Sequence, residues 1–286
     1  MKKYFSLVLF AHTIFAMPFA FIGFFLAISV TDQEFNWLKL VLMVLCMIFA
    51  RNAAMAFNRY LDRAIDAQNP RTAIRDIPSG KISSNEALIF TIVNSILFIL
   101  TTLLINKICF YLSPIALAVV LGYSFTKRFT PLCHLILGLG LALAPIGAYL
   151  VVAGEFAMLP LYFSLAVLCW VSGFDIIYAL QDEEFDRENN LNSIPAWLGK
   201  KKALNVSSVF HVLAVIFVTL PYIVSDLSWF YLAGVLFFII LLIYQHQLVK
   251  PNDLSKVNRA FFTTNGIASV VFAVFFLLDA YLRNQI

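Results

Sequence analysis

Charge is scarce in this chain. Only 13% of its 286 residues are charged, 62% are hydrophobic, and the mean hydropathy is +0.88. A soluble domain normally carries about 25% charged residues, so a soluble globule is excluded. Cysteine is scarce as well. Cys46, Cys109, Cys133 and Cys169 stand alone in apolar runs, with no metal-binding pair spacing, and read as small core residues. The histidines His12, His134, His211 and His246 are scattered, and none has a second ligand at metal spacing. His12 is placed to touch a cavity from the first helix but reads first as a packing residue. No polar stretch is long enough for a separate soluble domain. A cleaved leader is not expected either: the chain stays apolar from about Phe5 to Val30, too long for a leader's core, with no suitably placed small-x-small site.

What is present is apolar sequence in membrane-length pieces. Nine runs qualify, at roughly 5–30, 37–59, 85–105, 108–125, 131–153, 158–180, 203–223, 227–248 and 259–282. In hydrocarbon the backbone must satisfy its own hydrogen bonds, so all nine are expected as helices. The expected fold is an all-α polytopic membrane protein, one transmembrane domain over residues 1–286, with about nine helices around a central cavity. Little more than Asn106 and Lys107 separates the third and fourth runs, which predicts a tight helical hairpin. With the N-terminus in the cytoplasm, 16 Lys and Arg residues fall on that side and 3 on the other, with Arg51 inside the second span. The net charge of +4 follows from this bias and does not point to nucleic acid.

The acidic residues are few but patterned. Asn58, Asp62 and Asp66 are spaced by four within AFNRYLDRAID. Tyr178, Asp182 and Asp186 have the same spacing within DIIYALQDEEFD, each 120 residues after its counterpart. Steps of four keep side chains on one helix face. Each segment therefore aims two carboxylates and a neutral polar group at one spot. Four such carboxylates repel one another unless cations lie between them, and hard oxygen ligands suit Mg²⁺ shared with a phosphorylated substrate. Both segments close an even-numbered span and lead into a loop with an Ile-Pro and a Gly-Lys pair: Ile77, Pro78, Gly80 and Lys81, then Ile194, Pro195, Gly199 and Lys200. A parallel four-helix internal repeat, with a ninth helix added, would set the two motifs face to face. The two loops, about 25 and 22 residues long, are candidate lids, with PRTAIRDIPSGK partly ordered over the site.

Other residues join these motifs. Arg51 lies about two turns before Asn58 inside an apolar span, a costly position that marks a functional candidate, suited to a carboxylate; a structural ion pair is the alternative. Asp175, about two turns before Asp182, is a candidate base or hydrogen-bond acceptor, with a helix-packing role equally open. Tyr123 and Lys127 close the fourth span in LGYSFTKRFT. Four carboxylates, two Mg²⁺ and a diphosphate of about −3 leave a negative balance that Lys127 helps to cancel. Arg128 reads as a surface anchor. Arg63 or Arg59 flanks the first motif within reach of phosphates. The 29 Phe residues supply core, lipid-facing surface and the wall of any channel for a hydrocarbon tail.

With these elements in order along nearly the whole chain, the sequence resembles the UbiA superfamily of intramembrane aromatic prenyltransferases. The resemblance rests on nine spans, the NxxxDxxxD form at Asn58–Asp66, the second acidic motif, GYSFTKRFT and NSIPAWLGKKKAL. Two branches are close: the 4-hydroxybenzoate polyprenyltransferases of ubiquinone synthesis, and the enzymes that prenylate an aromatic acid in the futalosine route to menaquinone. The chain lacks the Lys-Pro-x-Gly motif typical of the first branch near its start. Its AHTIFAMPFA and NPRTAIRDIPSGKIS are more similar to the second. The resemblance implies that Asn58, Asp62, Asp66, Asp182 and Asp186 hold Mg²⁺ against a polyprenyl diphosphate. Lys127, Tyr123, Tyr178 and Arg63 would complete the diphosphate site, Arg51 would take the acceptor's carboxylate, and Asp175 its phenol. A bacterial inner membrane is the expected location, and the Lys and Arg distribution puts both acidic motifs on its cytoplasmic side. The rival of another class is a secondary transporter with clustered intramembrane carboxylates, but carboxylates at helix ends favour an enzyme. A CDP-alcohol phosphotransferase is a further rival, whose compact Asp-rich motif is absent.

Overall fold

The structure is a computed structural model that describes residues 13–31 and 33–283. His12 lies outside the described residues. The helices are α1 (Thr13–Val30), α2 (Trp37–Gln68), α3 (Ser84–Leu103), α4 (Lys107–Thr126), α5 (Cys133–Ala153), α6 (Met158–Ala179), a short α7 (Glu183–Glu188), α8 (Ile194–Val224), α9 (Trp229–Leu248) and α10 (Asn265–Leu282). Among the described residues, eight segments are long and apolar enough to cross a membrane, and Phe15–Val30 adds a shorter apolar helix. The chain is an integral, multi-pass membrane protein.

Burial sorts these helices. In the segment from Met158 to Glu188, which contains α6, 72% of the apolar window is enclosed, against 22% for α4. So α6 is the inner helix and α4 faces outward. α6 packs mainly on α5 and α8, α1 on α5, α2 on α3, and α9 on α10. The core between them is aromatic. Phe19 lies 5.5 Å from Trp170 and Trp170 5.1 Å from Phe174, centroid to centroid, at separations favourable for rings. The indole N–H of Trp170 donates to Asn265 Oδ1 at 3.2 Å, so the buried polar handle is satisfied. Helix α1 comes so close to α5 that a Cβ at Gly23 would lie 2.0 Å from the Pro145 carbonyl oxygen. Small residues permit such close crossings where lipid supplies no hydrophobic drive. The outward faces of α3 and α4 keep Ile89, Ile96, Leu100 and Ile115 exposed, as lipid contact requires.

The polar joints follow capping rules. Asn106 caps α4, accepting from the Cys109 N–H at 2.9 Å, and its amide donates to Leu150 O at 2.8 Å. This makes the tight α3–α4 hairpin that the sequence predicts. Ser83 and Glu86 form a capping box that starts α3.

Three expectations change. The second apolar run stops near residue 59, but α2 continues to Gln68 and carries the whole first motif as unbroken helix. The loop after it therefore covers only residues 69–83. The loop after the second motif is shorter still, because α8 starts at Ile194, with Ser193 as cap and Pro195 in the first turn. The second motif is not a continuous α-helix: Leu180–Asp182 is a 3-10 turn that tightens the chain before α7. The two halves therefore differ just where an internal repeat would make them alike. The point they share is a left-handed glycine before each lysine, Gly80 at φ 75° and Gly199 at φ 76°.

Candidate active site

A cavity of about 230 Å³ opens among the ends of α2, α4, α5 and α6 and the segment through α7. Its walls hold Asn58, Asp62 and Asp66 from α2 and Asp175, Tyr178, Asp182 and Asp186 from the second motif region. Tyr123 and Lys127 come from the end of α4. Both acidic segments thus share one chamber despite lying 120 residues apart.

Every carboxylate of the two motifs has a basic partner. Asp62 Oδ1 is 2.9 Å from the Arg128 guanidinium, and its Oδ2 accepts from the Asn58 amide at 2.9 Å. Asp66 Oδ1 is 2.6 Å from Arg75. Asp182 takes a two-pronged contact from Arg71, with Nε donating at 2.9 Å to Oδ1 and the terminal nitrogen to Oδ2, and it accepts from Asn69 at 3.0 Å. Asp186, fully buried, sits 2.7 Å from Lys127 Nζ. Four negative groups in one low-dielectric chamber would otherwise repel strongly. Burial works against the charge on Lys127, but the carboxylates of Asp186 and Asp182 outweigh it and raise the ammonium above the ordinary lysine value. Lys127 therefore stays charged at neutral pH. For Arg71, burial is likewise outweighed by the hydrogen bonds and charge of Asp182, and its pKa is raised.

The loop after α2 supplies two of these cations, and its own hydrogen bonds shape it. Asn69 Oδ1 accepts from the Arg71 N–H at 2.9 Å, an Asx turn, and the Thr72 hydroxyl donates to Asp66 O at 3.0 Å. The loop is thereby latched over the chamber by Arg71 and Arg75. Arg71 also donates to the Tyr178 hydroxyl at 3.1 Å, and the Tyr178 ring stacks on Phe261 at 4.1 Å. On the other wall Asn192 N–H donates to Lys127 O at 2.7 Å, which ties the approach to α8 to the end of α4.

The placement of the candidates is uneven. Asn58, Asp62, Asp66, Tyr123, Lys127, Asp175, Tyr178, Asp182 and Asp186 line the cavity. Arg63 does not. It is one residue past Asp62, about 100° round the helix, where its guanidinium donates to Tyr60 O at 2.6 Å and lies 4.6 Å above the Tyr60 ring. The arginines that do line the chamber are Arg71, Arg75 and Arg128. Arg51 is half-buried on α2 and lies beyond the residues lining the chamber. Arg128, expected as a surface anchor, instead holds Asp62. His134, expected as a scattered histidine, lies 2.6 Å from Asp175. The Arg-rich composition of PRTAIRDIPSGK was the available signal for Arg71 and Arg75, but nothing local told which carboxylate each would meet.

For a metal, the expected ligand set is not drawn together as a cage: among the described residues no three His, Cys, Asp or Glu converge at ligand range. Each carboxylate is instead paired with a basic side chain. The donor chemistry nevertheless fits a hard divalent cation. Asp66 Oδ2 and Asp186 Oδ2 are buried and accept no hydrogen bond, so lone pairs from both motifs remain available inside one chamber.

A helical membrane fold whose inner chamber is lined by two acidic segments and four matching cations suits an intramembrane transferase. Comparison with known proteins agrees. The UbiA prenyltransferase family matches residues 16–267. A 4-hydroxybenzoate octaprenyltransferase of Vesicomyosocius okutanii is 30% identical over 250 residues, covering 86% of this chain and 90% of that protein. The enzyme of the same name from Aliivibrio fischeri strain MJ11 is 31% identical over 242 residues, 83% of this chain and 82% of that one. The apo structure of a UbiA homologue from Aeropyrum pernix K1 superposes with a TM-score of 0.82 at 31% identity, covering 94% of this chain and 98% of that one. A UbiA homologue from Archaeoglobus fulgidus, bound to DMAPP and Mg²⁺, shares the fold with a TM-score of 0.76 at 21% identity, covering 98% of this chain and 99% of that one. This chain belongs to the UbiA prenyltransferase family and is a membrane prenyltransferase.

Proposed function

We propose that the protein transfers a polyprenyl group from a polyprenyl diphosphate to an aromatic acid, 4-hydroxybenzoate or a naphthoate-type acid of the futalosine route, in quinone synthesis. We place it in a bacterial inner membrane with the chamber facing the cytoplasm, and assign the activity to one domain over residues 1–286. The observation that carries this reading is the single chamber in which four carboxylates and four cations are matched one to one. It is a site built to exchange counter-ions with a metal and a diphosphate. Relatives support it, since those above carry the name 4-hydroxybenzoate octaprenyltransferase and the Archaeoglobus homologue binds DMAPP and Mg²⁺. The choice of a naphthoate-type acceptor rests on AHTIFAMPFA and NPRTAIRDIPSGKIS alone.

Asn58, Asp62, Asp66, Asp182 and Asp186 would hold Mg²⁺, which when bound supplies positive charge beside the departing diphosphate. As substrate enters, Arg71, Arg75, Arg128 and Lys127 transfer their hydrogen bonds from carboxylates to diphosphate oxygens, so the chamber stays near neutrality. Tyr123 and Tyr178 flank the same oxygens. The loop of residues 69–83, latched by its two arginines, keeps water from the allylic cation formed as the C–O bond breaks. The aromatic ring attacks that cation beside its hydroxyl group, and Asp175 receives the hydroxyl proton. Arg51, deeper on the face of α2 that carries Asn58, takes the acceptor's carboxylate.

Membranes containing the protein are to be incubated with labelled polyprenyl diphosphate and each acid, with Mg²⁺ or with EDTA. Label is expected in one prenylated acid, only with Mg²⁺. Equal transfer in EDTA, or none to any aromatic acid, defeats the proposal. Arg51→Ala is expected to raise the acceptor KM about 100-fold and that of the donor by less than about three-fold, the loss of one charge-assisted two-pronged contact. Equal changes in both would make Arg51 structural.

A further inference from the structure

His134 opens α5 with its side chain only 3% exposed, and both ring nitrogens are engaged. Nδ1 lies 2.6 Å from Asp175 Oδ2, and Nε2 accepts the backbone N–H of Ile194 at 3.3 Å. A backbone N–H can only donate, so Nε2 carries no proton. The ring proton therefore sits on Nδ1 and is donated to Asp175. This contact fixes the orientation of the Asp175 carboxyl group. The backbone at His134 is tied to α6 as well: the Ser172 hydroxyl lies 3.3 Å from His134 O and 2.7 Å from Leu168 O. Asp175 keeps 21% of its side chain exposed, on the chamber side. The acid faces the substrate space and the imidazole stands behind it.

We propose that His134 is a positioning residue that holds Asp175 as an oriented base for the acceptor's hydroxyl and ties that orientation to the Ser193–Ile194 start of α8. The proposal rests on the transferase reading above and deepens it. Asp175 takes the hydroxyl proton, which leaves an aryloxide whose electrons enrich the neighbouring ring carbon. That carbon forms the new C–C bond while the C–O electron pair leaves with the diphosphate. The proton on the attacked ring carbon departs on the diphosphate, and Asp175 returns its proton to the oxygen. His134 keeps its own proton throughout, because Ile194 occupies its other nitrogen. The same chain of contacts explains why the segment after the second acidic motif matters to the base. Asn192 is fastened to Lys127 and Ile194 to His134, so this segment touches the diphosphate side and the acceptor side together.

The test compares His134→Leu with His134→Asn, whose amide can replace the Nδ1–H donor. Expected at saturating donor is a kcat about 100-fold lower in the leucine variant, the usual scale for losing an oriented base. The donor KM should stay within about three-fold, and the asparagine variant should recover most of the rate. A leucine variant with near wild-type kcat overturns the assignment, and so does an asparagine variant as impaired as leucine. A second arm needs no turnover. Infrared difference spectra of the solubilised protein should show a shifted Asp175 carboxyl band in His134→Leu, and the difference should vanish when Asp175→Asn is added. Amide exchange at Ile194 should also rise in His134→Leu. Absence of both signals overturns the pairing. Lack of transfer by the wild-type protein to any acid would instead strike the transferase reading, leaving the spectral arm to decide His134.

Discussion

Asp62→Ala and Asp182→Ala are each expected to lower prenyl transfer by about 10³-fold or more, the scale for removing charge stabilisation of a leaving group. The two changes differ in their structural side effects, which makes the comparison informative. Removing Asp62 frees Arg128, which is 32% exposed and can be solvated, so the fold should hardly respond. Removing Asp182 releases Arg71, and with it one of the two latches on the loop of residues 69–83. That variant should gain protease sensitivity in the loop as well as lose activity. Asp62→Asn and Asp182→Asn keep the side-chain shape and separate charge from packing. If either alanine variant, purified and folded, turned over within about ten-fold of wild type, the carboxylates would not be the metal-holding groups.

The second large effect concerns Lys127 and Asp186. Asp186 is fully buried, and its cation stands 2.7 Å away. Lys127→Met leaves that carboxylate uncompensated and should lower stability by about 3 kcal/mol, besides removing a proposed diphosphate ligand. Adding Asp186→Asn removes the stranded charge. The double variant is expected to regain the thermal stability of the wild type in detergent, yet stay inactive. Restored stability without restored transfer assigns the pair to substrate and metal binding; restored transfer would reduce it to a structural ion pair. The two residues touch, so their effects cannot be additive, and the double-mutant cycle measures the coupling.

Much of the fold could be read along the chain because its determinants are local. A run of about 20 apolar residues specifies a span without help from any partner. Asn106 specifies the α3–α4 hairpin through a cap three residues long. The two acidic motifs were visible because a spacing of four is itself a statement about one helix face. Local reading failed where helix and apolarity part company. AFNRYLDRAIDAQ is polar, yet it extends α2 by several residues beyond its apolar run, since helix propensity and a partly buried face suffice. The same error made both loops too long. The 3-10 turn at Leu180–Asp182 carries no distinct signal, for nothing in LQD forbids an ordinary helix.

The site divides in the same way. The sequence by itself determined the class of protein, the two sets of carboxylates that line one chamber and the expectation that cations must answer them. Only the tertiary structure decided which cations, Arg128 for Asp62 across 66 residues of chain and Arg71 for Asp182 across 111, and which neighbour Asp175 would meet, His134 across 41. Arg63, the nearest arginine along the chain, turned away because one residue on a helix is about 100° of rotation. Charge pairing in a low-dielectric chamber depends on distances of a few ångströms through space. Those distances are set by how α2, α4, α5 and α6 pack, and no spacing along the chain encodes them.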